Sequence, residues 1–353
     1  NLNKQERVIN KMKKDILINE VSTTVLNILE EHKAKGTMPK WNKGFVGGFQ
    51  PLRENGQAYK GFNAFYLGLI VGIKGYTSPY FFTFNKLLEI MGYKKKDLNS
   101  KGFAVREGEK VSRVGFCKLD RIALAKKIEG KGTPIIYYET LNIKGDEFVD
   151  EEGNKWQSEG KIIPMMKNYT VFNACQVEGL PEKYFPKAEE LAPTNQRIEE
   201  IDRFFDAQQS KLKTSTNGAF YRPSEDAVYM PEWSRWNSSN EYYSVLSHEF
   251  IHSTGTKERC NRAINNKFGS TKYAFEELVA ELGSLFCMME FGLQHQPTDN
   301  NIAYLDNWIA LLKDHKEAIF KATALASKGA EFLQEQAQKK GCREYVNANL
   351  FIA

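Results

Sequence analysis

His248 and His252 stand four residues apart in the segment Ser247–His252, with Glu249 between them. On a helix the two imidazoles project from one face, as they must to share a zinc ion. Glu249 is then placed to take a proton from a water activated by that ion. The chain has only five histidines, and this motif holds two of them. A catalytic zinc keeps three protein ligands and one open position. The third donor is expected from Glu276, Glu277 or Glu281 on the following helix, with His295 and His315 as more distant options. Helical phase does not separate Glu276 from Glu277. The E-x-x-x-E pair of Glu277 and Glu281 favours Glu277 as ligand, with Glu281 supporting a ligand histidine. Tyr273, one turn before Glu277, is a candidate for stabilising an oxyanion. Zn2+ on His248, His252 and Glu277, with Glu249 as base, points to hydrolysis of a peptide or amide.

The elements that must position these groups are legible around them. Ser238 or Ser239 opens the helix carrying both histidines, and Gly255 ends it. Tyr273–Leu293 carries a helical stripe of Phe275, Leu278, Leu282 and Leu285, and its other side holds small residues and glutamates that would let a second helix come close. Before the motif, Ala219–Tyr221 and Ala227–Pro231 read as strand–turn–strand, an edge on which an extended peptide could pair. A helix is expected over 195–209, and further helix over 301–335. Pro181 to Pro193, with three prolines, marks a boundary between domains 1–185 and 194–353.

The first half reads as α+β, and the second as mainly helical with a small antiparallel sheet. Residues 5–34 form a long amphipathic helix or two in series, and 63–72 and 84–92 form short ones. Phe103–Val105 and Val111–Leu119 are expected to pair as a hairpin with a charged tip. Strands are expected at 135–143 and 169–177, around an acidic, glycine-spaced loop at 144–161.

Charge is unevenly divided. Residues 1–140 hold 25 Lys and Arg against 13 Asp and Glu, whereas 141–353 hold 24 against 31. A basic half with interleaved aromatics has the composition of a nucleic-acid surface. The glycine-rich stretch from Trp41 to Tyr66 suits base stacking and phosphate pairing on single strands. Its candidate DNA contacts are Trp41, Lys43, Arg53, Tyr59, Lys60, Asn63 and Tyr66, joined by Arg106, Lys110 and Arg113 of the charged hairpin. No apolar run reaches the 18 residues of a membrane span, and no signal-peptide pattern follows Asn1. Five scattered cysteines without a C-x-x-C fit reduced thiols in a cytoplasm.

Several stretches resemble one family in order along the chain. They are Pro39–Trp41, Tyr59–Asn63, Val105–Val111, Val171–Ala174 with Val177–Leu180, then Ser247–His252 and Tyr273–Leu282. In these the chain resembles the ArdC-type antirestriction proteins of mobile elements, which share their N-terminal region with TraC-type plasmid primases. The resemblance implies an N-terminal single-stranded-DNA-binding domain without sequence preference and a C-terminal zincin-like metallopeptidase domain. It also implies protection of incoming DNA from restriction, with a host restriction or defence protein as a possible target. A second reading keeps the fold without the chemistry: a DNA coat or restriction-enzyme decoy with a structural zinc. A third is a peptidase whose basic half binds an acidic protein.

Overall fold

The computed structural model describes residues 2–37, 50–106, 113–143, 147–149, 155–157, 161–186, 195–262, 264, 270–297 and 304–342. Helix α1 (Leu2–Ala34) is unbroken, and Val21, Val25 and Leu29 form its buried stripe. Helix α2 (Gly61–Lys74) is apolar on most of its circumference and ends at Gly75, whose left-handed backbone (φ 66°) closes it. Then come β1 (Phe81–Thr83), α3 (Phe84–Ile90), β2 (Lys96–Leu98), β3 (Arg113–Gly115) and α4 (Lys118–Ala125). They are followed by β4 (Thr133–Ile143), β5 (Glu147–Val149), β6 (Lys155–Gln157) and β7 (Lys161–Asn173). Strands β1, β7 and β4 make an antiparallel sheet in that order.

The second half contains α5 (Glu199–Asp206), β8 (Lys211–Ser215), β9 (Phe220–Arg222), β10 (Ala227–Pro231), α6 (Ser239–Ser253), α7 (Thr271–Glu290), α8 (Leu305–Asp314) and α9 (Ala318–Lys339). The expected pairing of 219–221 with 227–231 is present as β9 antiparallel to β10. Strand β8 was not foreseen; it runs parallel to β10 on the other side, so β9 is an edge. The chain is therefore α+β, with helices dominating its second half. No described helix is long and apolar enough to cross a membrane.

The larger hydrophobic core runs through both halves, from Val25 and Phe65 to Phe204, Phe250, Leu282 and Trp308. A smaller core of Phe82, Leu87, Phe116 and Leu124 supports the segment from β1 to α4. Three local expectations are corrected. The partner of β3 is β2 at 96–98, not 103–105, and Ala104 makes only an isolated bridge to Leu98. The stretch 144–161 is not simply a loop, because β5 and β6 pair within it. Strand β7 also stops at Asn173, whose side-chain oxygen accepts from Cys175 N (2.9 Å) and turns the chain into a short 3-10 helix.

Candidate metal centre

Helix α6 starts where two side chains cap it. Ser238 Oγ accepts from Glu241 N at 3.2 Å, and Glu241 Oε2 accepts from Asn237 N at 3.0 Å. Ser270 caps α7 in the same way, accepting from Tyr273 N at 3.2 Å. The two helices approach closely because α7 is small at the crossing. A Cβ on Gly283 would lie 2.7 Å from Ile251 Cγ1, and Ser284 Oγ donates to Ser244 O at 2.6 Å. That proximity lets the carboxylates of one helix reach the imidazoles of the other.

His248, His252 and Glu277 are brought together, with one ligand atom of each within 4.8 Å of the others. The two Nε2 atoms are 3.1 Å apart. Glu277 Oε2 lies 3.4 Å from His248 Nε2, and its Oε1 lies 3.6 Å from His252 Nε2. Four tetrahedral ligands at zinc's bond lengths of about 2.0–2.2 Å are separated by about 3.3–3.6 Å. The triangle thus has the size of one face of a metal's coordination sphere, and its donor chemistry fits a divalent transition metal.

Each ring's other nitrogen also meets a carboxylate of α7. Glu276 Oε1 lies 3.3 Å from His252 Nδ1, and Glu281 Oε2 lies 3.7 Å from His248 Nδ1. Such contacts turn the Nε2 lone pairs toward a shared ion. Glu276 is itself held by Arg262, whose Nη2 and Nε donate to it at 2.8 and 3.0 Å. Arg262 also donates to Ile251 O (2.7 Å) and Thr254 Oγ1 (2.8 Å), which ties the carboxylate to the end of α6.

The electrostatics agree with a cation site. Burial opposes charge on both imidazoles, yet Glu277 and Glu281 push His248 well up, and Glu276 and Glu277 push His252 up to about 9. Burial likewise opposes charge on Glu277, but the two histidines hold its carboxyl far below the usual range. The cluster is a well of negative potential that protons or a metal ion can neutralise.

The triangle opens on a cavity of about 620 Å³. Glu249, Tyr273, Tyr304, Gln296 and Trp236 line it, and residues 218–221 bring the edge strand β9 to its rim. Tyr273 Oη is 3.2 Å from Tyr304 Oη. Burial pushes the Tyr273 phenol up beyond its ordinary range, helped by Tyr304 and Glu277. His295, buried, reaches Glu281 at 3.8 Å. The sequence reading missed three contributors: Glu276 as partner of His252, Arg262 as its clamp, and Tyr304. An Arg beyond the HExxH helix and a Glu beside Glu277 were visible, but nothing in the spacing tied them together.

The residues expected to contact DNA are scattered. Trp41, Lys43 and Lys110 lie outside the described residues. Lys60, Arg106 and Arg113 are exposed. Arg53 is half-buried, its guanidinium 5.2 Å from the Tyr59 ring centroid and 5.3 Å from that of Tyr137. Three expectations are corrected by packing. Tyr59 and Tyr66 are core residues, so neither ring is open to a base. Asn63 spends its amide on strand β4, donating to Ile136 O (2.6 Å) and accepting from Ile136 N (2.9 Å).

Comparisons with known proteins match two parts of the chain to different families. Residues 15–172 match the N-terminal domain of anti-restriction factor ArdC, and 199–325 match a zincin-like metallopeptidase family. DNA primase TraC of Escherichia coli is 30% identical over 319 residues, covering 89% of this chain but 27% of the primase. The chain thus spans about a quarter of the length of that relative. The crystal structure of antirestriction protein ArdC from the R388 plasmid, in its metal-free form, superposes with a TM-score of 0.63 at 33% identity. The match covers 92% of this chain and 97% of that one. The Mn(II)-bound form of the same protein gives a TM-score of 0.62 at 32% identity. With its N-terminal match, its metallopeptidase-like second half and an ArdC structure matched over nearly its whole length, this chain belongs to the ArdC antirestriction family.

Proposed function

We propose that this chain is an antirestriction protein of a mobile element that binds single-stranded DNA and carries a zinc-dependent peptidase centre. The observation that carries the enzymatic part is the His248–His252–Glu277 triangle facing an open cavity. A structural zinc would be closed by a fourth protein ligand, whereas a catalytic one keeps a position free. Two imidazoles and a carboxylate favour zinc, while the Mn(II)-bound relative supports a divalent metal more generally. When bound, the ion supplies Lewis acidity and lowers the pKa of water beside it. Glu249 then accepts the proton of the attacking water. Tyr273 and Tyr304, on the cavity wall, are placed to donate hydrogen bonds to the oxygen that gains negative charge. An extended peptide would pair along β9.

The TraC and ArdC matches of the basic first half support the DNA-binding part. The two functional units are 1–185 and 194–353, each containing one of the two family matches. The setting is the cytoplasm of a cell receiving DNA, where a host restriction or defence protein is the peptidase target. The test pairs metal analysis of the parent, His248→Ala and Glu277→Ala with a transfer assay of Glu249→Gln. Loss of metal in both ligand variants, and loss of protection in Glu249→Gln despite full metal content, are expected. Full protection by Glu249→Gln makes hydrolysis dispensable and leaves a DNA coat or decoy.

A further inference from the structure

We infer that the face built by β2, β3, α4 and the turn at 99–103 is the surface on which this chain holds single-stranded DNA. The inference rests on the DNA-binding reading above and gives it a location. Charge is the first observation. Residues 94–106 and 113–127 carry ten Lys and Arg against two Asp, and Lys94, Lys101, Arg113, Lys118 and Arg121 are all exposed. Such a density of cations on so short a stretch attracts a polyphosphate chain.

The second observation is an aromatic ring held out in solvent. Phe103 is 43% exposed. Its turn is fixed by Asn99, whose Oδ1 accepts from Lys101 N (3.0 Å) and Phe103 N (3.1 Å). Gly102 supplies the left-handed backbone the turn needs (φ 81°). Lys118 N donates to Gly102 O at 3.2 Å, which ties the turn to the start of α4. Lys118 Nζ consequently lies 5.7 Å from the centre of the Phe103 ring. A base stacked on that ring would have its phosphate within reach of the ammonium.

The third observation is apolar surface beside the charge. Helix α4 buries Leu124 but leaves Leu119 72% and Ile122 44% exposed, and Val114 on β3 is 64% exposed. The smaller core of Leu87, Phe116 and Leu124 supports this face from below. Duplex DNA hides its base faces in its own stack, so apolar and aromatic side chains would gain little from it. An unpaired strand offers those faces. Among the described residues, this face combines what Tyr59 and Tyr66, buried in the core, do not provide.

The test is anisotropy of fluorescein-labelled oligothymidylate with the full chain over a salt series. Phe103→Ala should raise Kd about tenfold, the loss of one stacked base. Lys94→Gln with Lys118→Gln should flatten the plot of log K against log salt by about 0.7 per lost phosphate contact. Lys339→Gln, exposed at the end of α9 in the second half, should leave Kd unchanged. Melting temperatures and metal content equal to the parent's verify that the variants are folded. If the parent binds and both the Phe103 and the lysine variants bind equally well, the surface is elsewhere and the proposal falls alone. If the parent does not bind, the DNA reading falls with it. If vesicles of phosphatidylserine displace the oligonucleotide and bind in a Phe103-dependent way, the face is a lipid surface and the proposal is wrong.

Discussion

Glu276, Glu277 and Glu281 divide the two histidines among them, and that division sets what each substitution should do. Glu277 faces both Nε2 atoms, so Glu277→Ala should abolish stoichiometric metal uptake in plasma emission analysis of dialysed protein. Of the two histidines Glu276 meets only His252, at Nδ1, so Glu276→Gln should retain the site but weaken metal affinity about 10- to 100-fold, measured by competition with a chromogenic chelator. Equal loss in the two variants would mean that the ligand assignment is wrong. Glu276→Ala is a different experiment, because it strands the buried Arg262 guanidinium and should cost about 3–5 kcal/mol of stability. The HExxH histidines were legible from sequence because their spacing matches one helical face. The role of Glu276 as partner of His252 was not, because it is buried beside Glu277 on a helix whose polar side is interior. Phase assigns a residue to a face, but it does not say which neighbouring atom that face meets. Tyr59 and Tyr66 failed for a related reason: aromatic residues beside lysines have the same composition whether packed or exposed.

At the scale of elements, the site depends on how closely α6 and α7 lie. Every atom that a Cβ on Gly283 would meet most closely belongs to Ile251, at 2.7 to 2.8 Å. Gly283→Ala should therefore destabilise the fold by about 1–3 kcal/mol through overpacking, read as a shift in urea midpoint. Ile251→Ala should show strong positive coupling with it in a double-mutant cycle, because the two changes share one contact. Additive losses would place the strain elsewhere. A second element-level joint is Asp226, at the turn between β9 and β10, where Arg259 beyond α6 is clamped to the sheet (2.5 Å). Partial burial pushes this carboxyl up, but Arg259, Ser210 and Tyr221 outweigh it and hold it below the ordinary value. A depressed folded-state pKa contributes stability above the unfolded carboxyl's value of about 3.9, and that stability is lost as pH falls through the folded value. The stability difference between parent and Asp226→Asn should thus be constant near neutrality and shrink below about pH 4; a difference that grows on acidification would reverse the sign. The pairing of β9 with β10 was legible because turn residues separate two apolar runs. The pairing of β2 with β3 was not, since Lys96–Leu98 carries no alternation to mark it as a strand.

On the scale of the whole molecule, the composition suggests two proteins joined by a proline-rich boundary, but the larger core does not observe that boundary. Val21, Val25 and Leu29 of α1 and Phe65 and Leu69 of α2 belong to the same cluster as Leu282, Trp308, Leu312 and Ile319. Helix α1 packs on α8, and α2 packs on α9. Helices α8 and α9 in turn pack on α7, which carries the proposed third ligand. An apolar surface shared in this way couples the halves thermodynamically, because opening one exposes the other's buried side chains to water. Calorimetry of the full chain should show one cooperative transition, with its van't Hoff and calorimetric enthalpies in agreement. Added zinc should move that single transition upward by mass action. A chain lacking residues 1–36 should then melt lower as a whole, although no described residue among those deleted lines the histidines' cavity. Two separated transitions, only one of them moved by zinc, would mean that the halves fold independently and that the shared core does not transmit stability to the metal site.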